Sequence, residues 1–451
     1  MRNLKNAREL AIEILIDSQQ GSYSNLALNK YLTQDIPAID RAFVTELVYG
    51  VLKYRMKLDY IISQFSKIEL SKMSWPVLNT LRIGIYQLMF LDKVPVFAAV
   101  NESVNLAKKM ENPGAARFVN AVLRNIVRNK NVITYPDPVR HPQEFLSIYY
   151  SFPKWMVERW IKLYGFDFTR DLCEAFNQKP RVCIRINTLK TNKEKLKSTL
   201  ESEGVKVIPG VMFEEAFYIE DIPQLKQLKS FHDGLFQPQD ESSMIAARAL
   251  GVRSGDMVLD VAAAPGGKTT HIAQIMANKG SITAWDIHPH RVELIKETCR
   301  RLGTTIVDAQ VRDSRLKDKD MHNKFDKVLV DAPCSGLGVI RRKPDIKWSK
   351  KPEDISVLTT EQQRILEVCS QYVKLNGILV YSTCSIEPEE NQQIVEAFLE
   401  NNGNFVYDDM RPYLPEKLAM ELKEPYGWIQ LYPNIHKVDG FFVARLKRVG
   451  K

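Results

Sequence analysis

The chain has 451 residues, of which 45% are hydrophobic and 26% are charged, proportions that indicate a globular protein of two or three domains and exclude a disordered chain. Its formal net charge of +9 fits a polyanionic partner without requiring one. Because no segment reaches about eighteen uncharged apolar residues and the N-terminus carries acidic residues within its apolar pattern, we expect neither a membrane span nor a signal peptide, and predict a cytoplasmic protein.

The first domain, residues 1–135, is predicted to be all-helical. Apolar residues recur there at the i, i+3, i+4, i+7 spacing of amphipathic helices, as in ARELAIEILIDSQ, and only four glycines occur in the first 130 residues. Prolines divide this pattern into short helices, because a proline cannot continue a helix. These prolines are Pro37, Pro76, Pro95 and Pro113.

Positive charge is concentrated in this helical domain. Residues 1–130 carry 18 Lys and Arg against 11 Asp and Glu, so that +7 of the net +9 lies there. This distribution predicts a binding surface for a polyanion such as nucleic acid. The alternative is a solvated basic surface without a partner.

Two further domains are predicted beyond a linker. The stretch ITYPDPVRHPQEFLS contains three prolines, which is typical of a segment between domains. Residues 145–235 mix helical patterns with short β-like runs and predict a small α+β module. In residues 236–451 apolar strands alternate with amphipathic helices, which predicts an α/β domain with a mostly parallel, doubly wound sheet of the Rossmann-like kind. Ligands bind such sheets at the carboxyl ends of the strands.

A loop of small residues follows the first strand of this sheet, VLDV, and leads into a helix. Small residues let the backbone approach a ligand, and the first turn of the helix offers free N–H groups. The predicted ligand-binding residues are Ala262, Ala263, Ala264, Pro265, Gly266, Gly267 and Lys268. Three readings compete here: an NTPase, a dinucleotide site, and a site for a cofactor with a ribose but no phosphate. The P-loop pattern needs a glycine where Ala262 stands, and G-x-G-x-x-G is absent, which favours the third reading.

Two aspartates that follow later strands support that reading. Asp286 ends the next strand, about twenty residues past the glycines, where a carboxylate can accept hydrogen bonds from ribose hydroxyls. Asp313 follows the third strand and could accept a hydrogen bond from the exocyclic amine of an adenine. Each could instead cap the next helix or turn, but their joint position favours a ligand.

Two cysteines follow strands of the same predicted sheet. The six cysteines show no C-x-x-C spacing, which predicts reduced thiols and no metal site. Cys334 follows the strand KVLVD, and Cys384 follows GILVYST. If these strands are neighbours, about 4.8 Å apart, one substrate base could lie between the two sulfurs. An isolated cysteine is usually inert packing, but two at adjacent strand ends indicate chemistry.

A thiol at this edge suits methylation of a pyrimidine carbon. C5 of cytosine is a poor nucleophile, and a thiolate added to C6 makes C5 reactive toward a sulfonium methyl group. Asp331 is placed to act as an acid or hydrogen-bond partner at N3, and Cys334 is a candidate for assisting release of the product.

A basic cluster ending in an aromatic residue lies just beyond Cys334. Phosphate contacts and base stacking on single-stranded RNA need this combination, and the alternative is a solvated loop. The cluster consists of Arg341, Arg342, Lys343, Lys347 and Trp348.

Taken together, AAAPGGKT, the pair DAPCSG and YSTCS, and GVIRRKPDIKW resemble the Sun family of RNA 5-methylcytosine methyltransferases. The segments DRAFVTELVYGVLKYR, AAVNESVNLAKK and FVNAVLRNI resemble a NusB-type RNA-binding domain, and the combination is similar to bacterial enzymes that act on 16S ribosomal RNA. The resemblance covers nearly the whole chain. One departure is Ala262, where relatives often have Cys.

The resemblance implies a set of roles. S-adenosylmethionine is the implied cofactor, held by residues 262–268 with Asp286, Asp313 and Asp331. Cys384 is the implied nucleophile, and Cys334 is associated with product release. The implied substrate is 16S ribosomal RNA, and we expect a monomer.

Two other functions stay open. The first is methylation of cytosine in another polymer, transfer RNA or DNA. DNA enzymes of this chemistry resemble proteins in which the cysteine of a Pro-Cys pair is the nucleophile. The presence of Thr383-Cys384 beside Pro333-Cys334 favours RNA, and the helical domain favours ribosomal RNA. The second is a non-catalytic RNA-binding or antitermination factor, which the intact cofactor and cysteine motifs disfavour.

Overall fold

The computed structural model describes residues 6–450 apart from 22–23, 34–35, 221 and 223–224. It divides into two compact units: a helical unit, Met1–Gln178 with Ile340–Ser349, and a sheet unit, Lys179–Val339 with Lys350–Lys451. Within the described residues, no helix is long and apolar enough to cross a membrane, and no cluster of His, Cys, Asp and Glu could hold a metal ion.

The helical unit confirms the all-helical prediction for the first third of the chain. Its first nine helices are α1 (Ala7–Gln19), α2 (Ser24–Tyr31), α3 (Ala38–Phe65), α4 (Trp75–Phe90), α5 (Val96–Met110), α6 (Pro113–Arg128), α7 (Pro142–Tyr150), α8 (Lys154–Tyr164) and α9 (Phe166–Asn177). Helix α2 was not predicted, because eight residues are too few for a helical period to stand out. The four prolines lie at or just before the starts of helices rather than at the ends of preceding ones, since proline is tolerated in a first turn.

Helix α4 lies at the centre of this unit. Every residue from Val77 to Gln87 is buried, so the helix is surrounded on all sides. Its largest polar side chains have partners: Arg82 donates two hydrogen bonds to the Asp59 carboxylate at 2.6 and 2.7 Å, and the Tyr86 hydroxyl donates to Glu46 at 2.7 Å. These bonds compensate for the burial of a guanidinium and a phenol, whereas the buried Thr80 hydroxyl has no partner.

The proline-rich segment predicted as an interdomain linker lies within the helical unit, and its role as a linker stays a prediction. Residues 133–141 form no helix or strand, but helices α7–α9 pack back onto the preceding bundle. The backbone N–H of Met56 on α3, for example, donates to Ser151 Oγ at 2.8 Å. By compactness the chain divides after Gln178, and the division into three domains stays a prediction.

The sheet unit begins with a small antiparallel sheet of order β2-β3-β1-β4. Its elements are β1 (Val182–Ile186), α10 (Lys193–Ser202), β2 (Lys206–Pro209), β3 (Ala216–Glu220), α11 (Lys229–His232) and β4 (Phe236–Pro238). Strand β4 was assigned to the last domain by the sequence, yet it pairs with β1 as an edge of this sheet. Three residues are too few to show in sequence which sheet they join.

The remainder of the sheet unit forms the predicted mostly parallel sheet. Its strands are β5 (Met257–Val261), β6 (Ser281–Asp286), β7 (Val307–Val311), β8 (Phe325–Asp331), β9 (Val373–Thr383), β10 (Phe405–Tyr407), β11 (Trp428–Leu431) and β12 (Phe441–Arg448). The helices are α12 (Glu241–Ala249), α13 (Gly267–Ile275), α14 (Pro289–Leu302), α16 (Pro352–Ser370), α17 (Gln392–Asn401), α18 (Glu416–Ala419) and α19 (Pro433–His436), while α15 (Ile346–Ser349) belongs to the helical unit.

The strand order of the large sheet is β10-β12-β9-β8-β5-β6-β7, with β11 also pairing with β12. Strands β5 to β9 are parallel to one another, as predicted, and β10, β11 and β12 add antiparallel pairs that the sequence pattern did not reveal. The winding direction reverses between β5 and β8, and a crevice opens at such a switch point beyond the carboxyl ends of the strands.

Candidate active site

The loop after β5 lies at this switch point. Ala262 and Gly266 have φ of 58° and 95°, so the chain turns twice through left-handed backbone before α13 begins at Gly267. The N–H of Ala263 donates to the carbonyl of Trp285 at 2.8 Å, which fixes the loop to the neighbouring strand β6. A Cβ built on Gly267 would meet no atom within 4 Å, so this part of the loop faces open space. The loop can therefore accept a ligand against its backbone.

Asp260, on strand β5, is a buried acidic residue beside this loop that the sequence interpretation did not single out. Its side chain is fully buried, Oδ2 accepts a hydrogen bond from Thr269 Oγ1 at 2.6 Å, and Oδ1 has no partner. Burial, reinforced by the nearby Asp331, raises the pKa of Asp260 to about 7. An acidic residue inside the otherwise apolar strand VLDV was the available signal.

The two predicted ribose and adenine contacts lie at the same sheet edge. Asp286, at the end of β6, is 3% exposed, and its Oδ1 accepts from the N–H of His288 at 3.0 Å. Asp313 follows β7 and accepts hydrogen bonds from Arg315, which lower the pKa of its carboxyl. Both aspartates thus also cap local turns, the alternative considered from the sequence.

Asp331 lies at the end of β8, in register with Ser382 on β9. Its Oδ2 accepts from Lys268 Nζ at 2.7 Å, and its Oδ1 accepts from Ser382 Oγ at 2.8 Å. Burial lowers the pKa of Lys268, but Asp331 and the nearby Cys384 raise it by more, so the pKa lies above its ordinary value. This ion pair joins the loop after β5 to the edge that carries the cysteines.

The strands that precede the two cysteines, β8 and β9, are neighbours, and the two cysteine sulfurs are in contact. Cys334 Sγ and Cys384 Sγ are 3.3 Å apart, and both side chains are partly exposed. A hydrogen bond with Cys384, burial, and the negative charges of Cys384 and Glu390 raise the pKa of Cys334 well above its ordinary value. The other four cysteines are buried and reduced.

A buried polar cluster behind the cysteines was also missed from the sequence. Glu390 and Asn391 are both 0% exposed and bind the residues next to the two thiols. The signal was the run PEEN soon after YSTCS, where three acidic or amide side chains follow a strand end.

The basic cluster after Cys334 does not form the predicted RNA-binding surface as a whole. Lys347 is fully buried within the helical unit, where Nζ donates to Asn177 Oδ1 at 2.8 Å and to the carbonyl of Ser151 at 3.1 Å. Trp348 Nε1 donates to the carbonyl of Leu52 at 2.7 Å. These two side chains hold residues 340–349 in the helical unit, because their donors find partners there rather than in a nucleic acid.

Three families of known proteins match successive parts of the chain. Residues 247–447 match the family described as 16S rRNA methyltransferase RsmB/F, and residues 5–128 match the NusB family. Residues 152–224 match the ferredoxin-like domain of RsmF/B-like methyltransferases.

Similar proteins extend over the whole length. A probable ribosomal RNA small subunit methyltransferase B from Bacillus subtilis (strain 168) is 39% identical over 456 residues and covers 99% of each chain. Ribosomal RNA small subunit methyltransferase B from Escherichia coli O9:H4 (strain HS) is 31% identical, covering 99% of this chain and 98% of its own. The crystal structure of PH0851 covers 98% of each chain with a TM-score of 0.80 at 28% identity. A methyltransferase homologue from Pyrococcus horikoshii covers 69% of this chain and 99% of its own, with a TM-score of 0.58 at 30% identity.

Proposed function

The chain belongs to the 16S rRNA methyltransferase RsmB/F family, and from that premise we propose that it transfers a methyl group from S-adenosylmethionine to C5 of a cytosine in 16S ribosomal RNA. Cys384 is the nucleophile in this proposal. The observation that carries it is the pair of sulfurs 3.3 Å apart at the carboxyl edge of the sheet, beside the loop 262–268.

The loop and the following strand ends fit the proposed cofactor. Open space at Gly267 leaves room against the backbone, and the buried Asp286 carboxylate suits ribose hydroxyls. Asp313 is assigned to the adenine amine. When bound, S-adenosylmethionine supplies an electrophilic methyl group on a sulfonium centre. The chain's part is to orient that group toward the edge where Asp331 and Cys384 lie.

The surroundings of the two thiols support Cys384 as the nucleophile. The hydrogen bond with Cys384, burial and Glu390 raise the pKa of Cys334 well above its ordinary value, which disfavours a thiolate there. The positive charge of Lys268 interacts with Cys384, and a nearby cation favours a thiolate. We therefore assign the two thiols different roles, Cys384 as the nucleophile and Cys334 as the thiol that assists release.

The proposed reaction proceeds through an adduct with the base. The Cys384 thiolate forms a bond to C6, and Asp331 acts at N3, either by delivering a proton or by holding it there. C5 then carries the electron pair that takes the methyl group, and the bond between this methyl and the sulfonium sulfur would break with its electrons on that sulfur. After C5 is methylated, its proton leaves to water, N3 gives up its added proton, the C5–C6 double bond forms again, and the bond between Sγ and C6 breaks with its electrons on Sγ. We assign Cys334, 3.3 Å from Cys384, to this release as a thiol that hydrogen-bonds the departing sulfur.

Cysteine variants test the mechanism. Cys384→Ala should abolish methyl transfer from labelled cofactor to 16S ribosomal RNA, and Cys334→Ala should accumulate a covalent protein–RNA adduct that migrates slowly in denaturing gels. Cys369→Ala is the matched control, because this thiol is fully buried outside the site. An adduct in the Cys384 variant instead would reverse the two roles.

Bisulfite sequencing of RNA from cells with and without the gene tests the substrate. A cytosine of 16S ribosomal RNA that resists bisulfite conversion only in cells with the gene supports the proposal. Such a cytosine found only in transfer RNA would reassign the substrate, and its absence from both RNAs would contradict cytosine methylation.

A further inference from the structure

One buried carboxylate lies behind the two cysteine loops. Glu390 follows β9 in the chain, is 0% exposed, and accepts hydrogen bonds through both of its oxygens. Its Oε1 accepts from the N–H of Ser335 at 2.7 Å and from Gln362 Nε2 at 3.1 Å. Its Oε2 accepts from Ser335 Oγ and from Ser385 Oγ, both at 2.5 Å.

The donors are the immediate neighbours of the two thiols. Ser335 follows Cys334 and Ser385 follows Cys384, and their hydroxyl oxygens are 3.2 Å apart. A single carboxylate therefore ties together two loops that are about 50 residues apart in sequence. Because the bonds go to the residue next to each sulfur, a shift of this carboxylate would move both thiols.

Neighbouring side chains hold the same arrangement from either side. Gln362 Nε2 also donates to the carbonyl of Pro333 at 2.9 Å. Asn391 accepts from Thr383 Oγ1 at 2.5 Å and donates to the carbonyl of Ser385 at 3.1 Å. The residues before and after each cysteine are thus fixed by one connected set of hydrogen bonds.

We propose that Glu390 is a positioning residue for methyl transfer, which sets the relative placement of Cys334 and Cys384 by binding Ser335 and Ser385 with one carboxylate. This inference rests on the proposed function, in which both thiols act on the same cytosine.

The negative charge of Glu390 has a function beyond packing. No Lys, Arg or His among the described residues pairs with Glu390, and a buried anion without a cation destabilises the fold. A neutral side chain would make part of the same contacts at a lower cost in stability. The charge instead acts on the chemistry, because Glu390 is one of the negative groups that raise the pKa of Cys334.

Two substitutions separate the charge from the contacts. Glu390→Gln keeps the size and shape of the side chain, and the two serine hydroxyls can rotate to accept from its amide group, so mainly the charge is lost. Glu390→Ala removes the contacts as well. Glu241→Gln is the matched control, because Glu241 is also fully buried and accepts from the N–H groups of Met212 and Phe213, away from the cysteines.

The first measurement is thiol alkylation without RNA or cofactor. Each protein is treated with iodoacetamide at a series of pH values, and mass spectrometry follows Cys334 and Cys384 separately. In Glu390→Gln we expect Cys334 to react at lower pH than in the wild type, because a negative neighbour has gone. In Glu241→Gln the profile should match the wild type.

The second measurement is steady-state methyl transfer. Glu390→Ala should lose about ten- to a hundredfold in kcat, with the KM for S-adenosylmethionine within about twofold of the wild type, because thiol placement and not cofactor binding is disturbed. Glu390→Gln should lose less, because its amide keeps contacts to both serines. A kcat in Glu390→Ala within about twofold of the wild type overturns the proposal, and so does an equal loss of kcat in Glu241→Gln.

The two measurements distinguish this inference from the proposed function. If the wild-type protein methylates no cytosine, the proposed function fails while the alkylation profile still reports whether Glu390 controls Cys334. If the wild type is active and both Glu390 variants match it, the proposed function stands and the positioning role fails.

Discussion

Replacing Asp260 with Asn should make the protein's stability less sensitive to a rise in pH from about 3.8 to about 7. Burial raises the pKa of this carboxyl from 3.8 to about 7 in the folded protein. The unfolded chain releases the proton near the ordinary value, whereas the folded chain keeps it until about pH 7. Between these values the unfolded state binds fewer protons, so the free energy of unfolding falls as the pH rises.

The size of this effect follows from the pKa difference. Each unit corresponds to about 1.4 kcal/mol, so the wild type should lose about 4 kcal/mol relative to the variant over the whole interval, and about 2 kcal/mol of it between about pH 5.5 and 7. The constant cost of placing an amide beside Thr269 cancels, because only the change with pH is compared.

Urea unfolding followed by tryptophan fluorescence measures the difference. The free energy of unfolding of the wild type minus that of Asp260→Asn should be smaller at about pH 7 than at about pH 5.5. Asp308→Asn removes an exposed carboxyl from a strand of the same sheet and serves as the control. A difference that stays constant with pH, or that grows as the pH rises, would refute the burial argument.

Three further outcomes are expected. Asp331→Asn should lower kcat by about a hundred- to ten-thousandfold, since proton transfer at N3 loses its partner, and single-turnover methyl transfer measures it; a change below about twofold would remove Asp331 from the mechanism. Asp286→Ala should raise the dissociation constant of S-adenosylmethionine about tenfold in calorimetric titration, because a ribose contact is lost, and unchanged binding would leave Asp286 only as a cap. Lys347→Met should destabilise the helical unit by about 3 kcal/mol, since three acceptors lose their donor; a lower midpoint of urea unfolding checks this, and an unchanged midpoint would contradict it.

Local patterns were sufficient where one element carries the signal. The spacing of apolar residues placed α1 at its observed bounds, Ala7–Gln19, and the alternation of strands and helices predicted the parallel strands β5–β9. The cysteines were also expected together, because two parallel neighbours end at the same edge. The short strand β4 and the antiparallel strand β12 escaped, since their partners are distant in sequence.

Tertiary packing changed the interpretation of other residues. Lys347 and Trp348 form a plausible RNA-binding pair in sequence, but the structure buries Lys347 and gives the donors of both side chains partners in the helical unit. Glu390 is one of three carboxylates within four residues, and the sequence does not distinguish it from Glu387 or Glu389. Only the fold brings it behind Ser335 and Ser385.

The sequence by itself determined most of the element types, the family and the residues that end the parallel strands, because these depend on short-range periodicity and on motifs within a few residues. The tertiary structure decided which of those residues meet and which are shielded from water. The 3.3 Å approach of the two sulfurs, the ion pair of Lys268 with Asp331 and the burial of Asp260 all depend on strand order and register. Such contacts join positions far apart in the chain, and they stabilise the protein only once the strands have paired and excluded water from them.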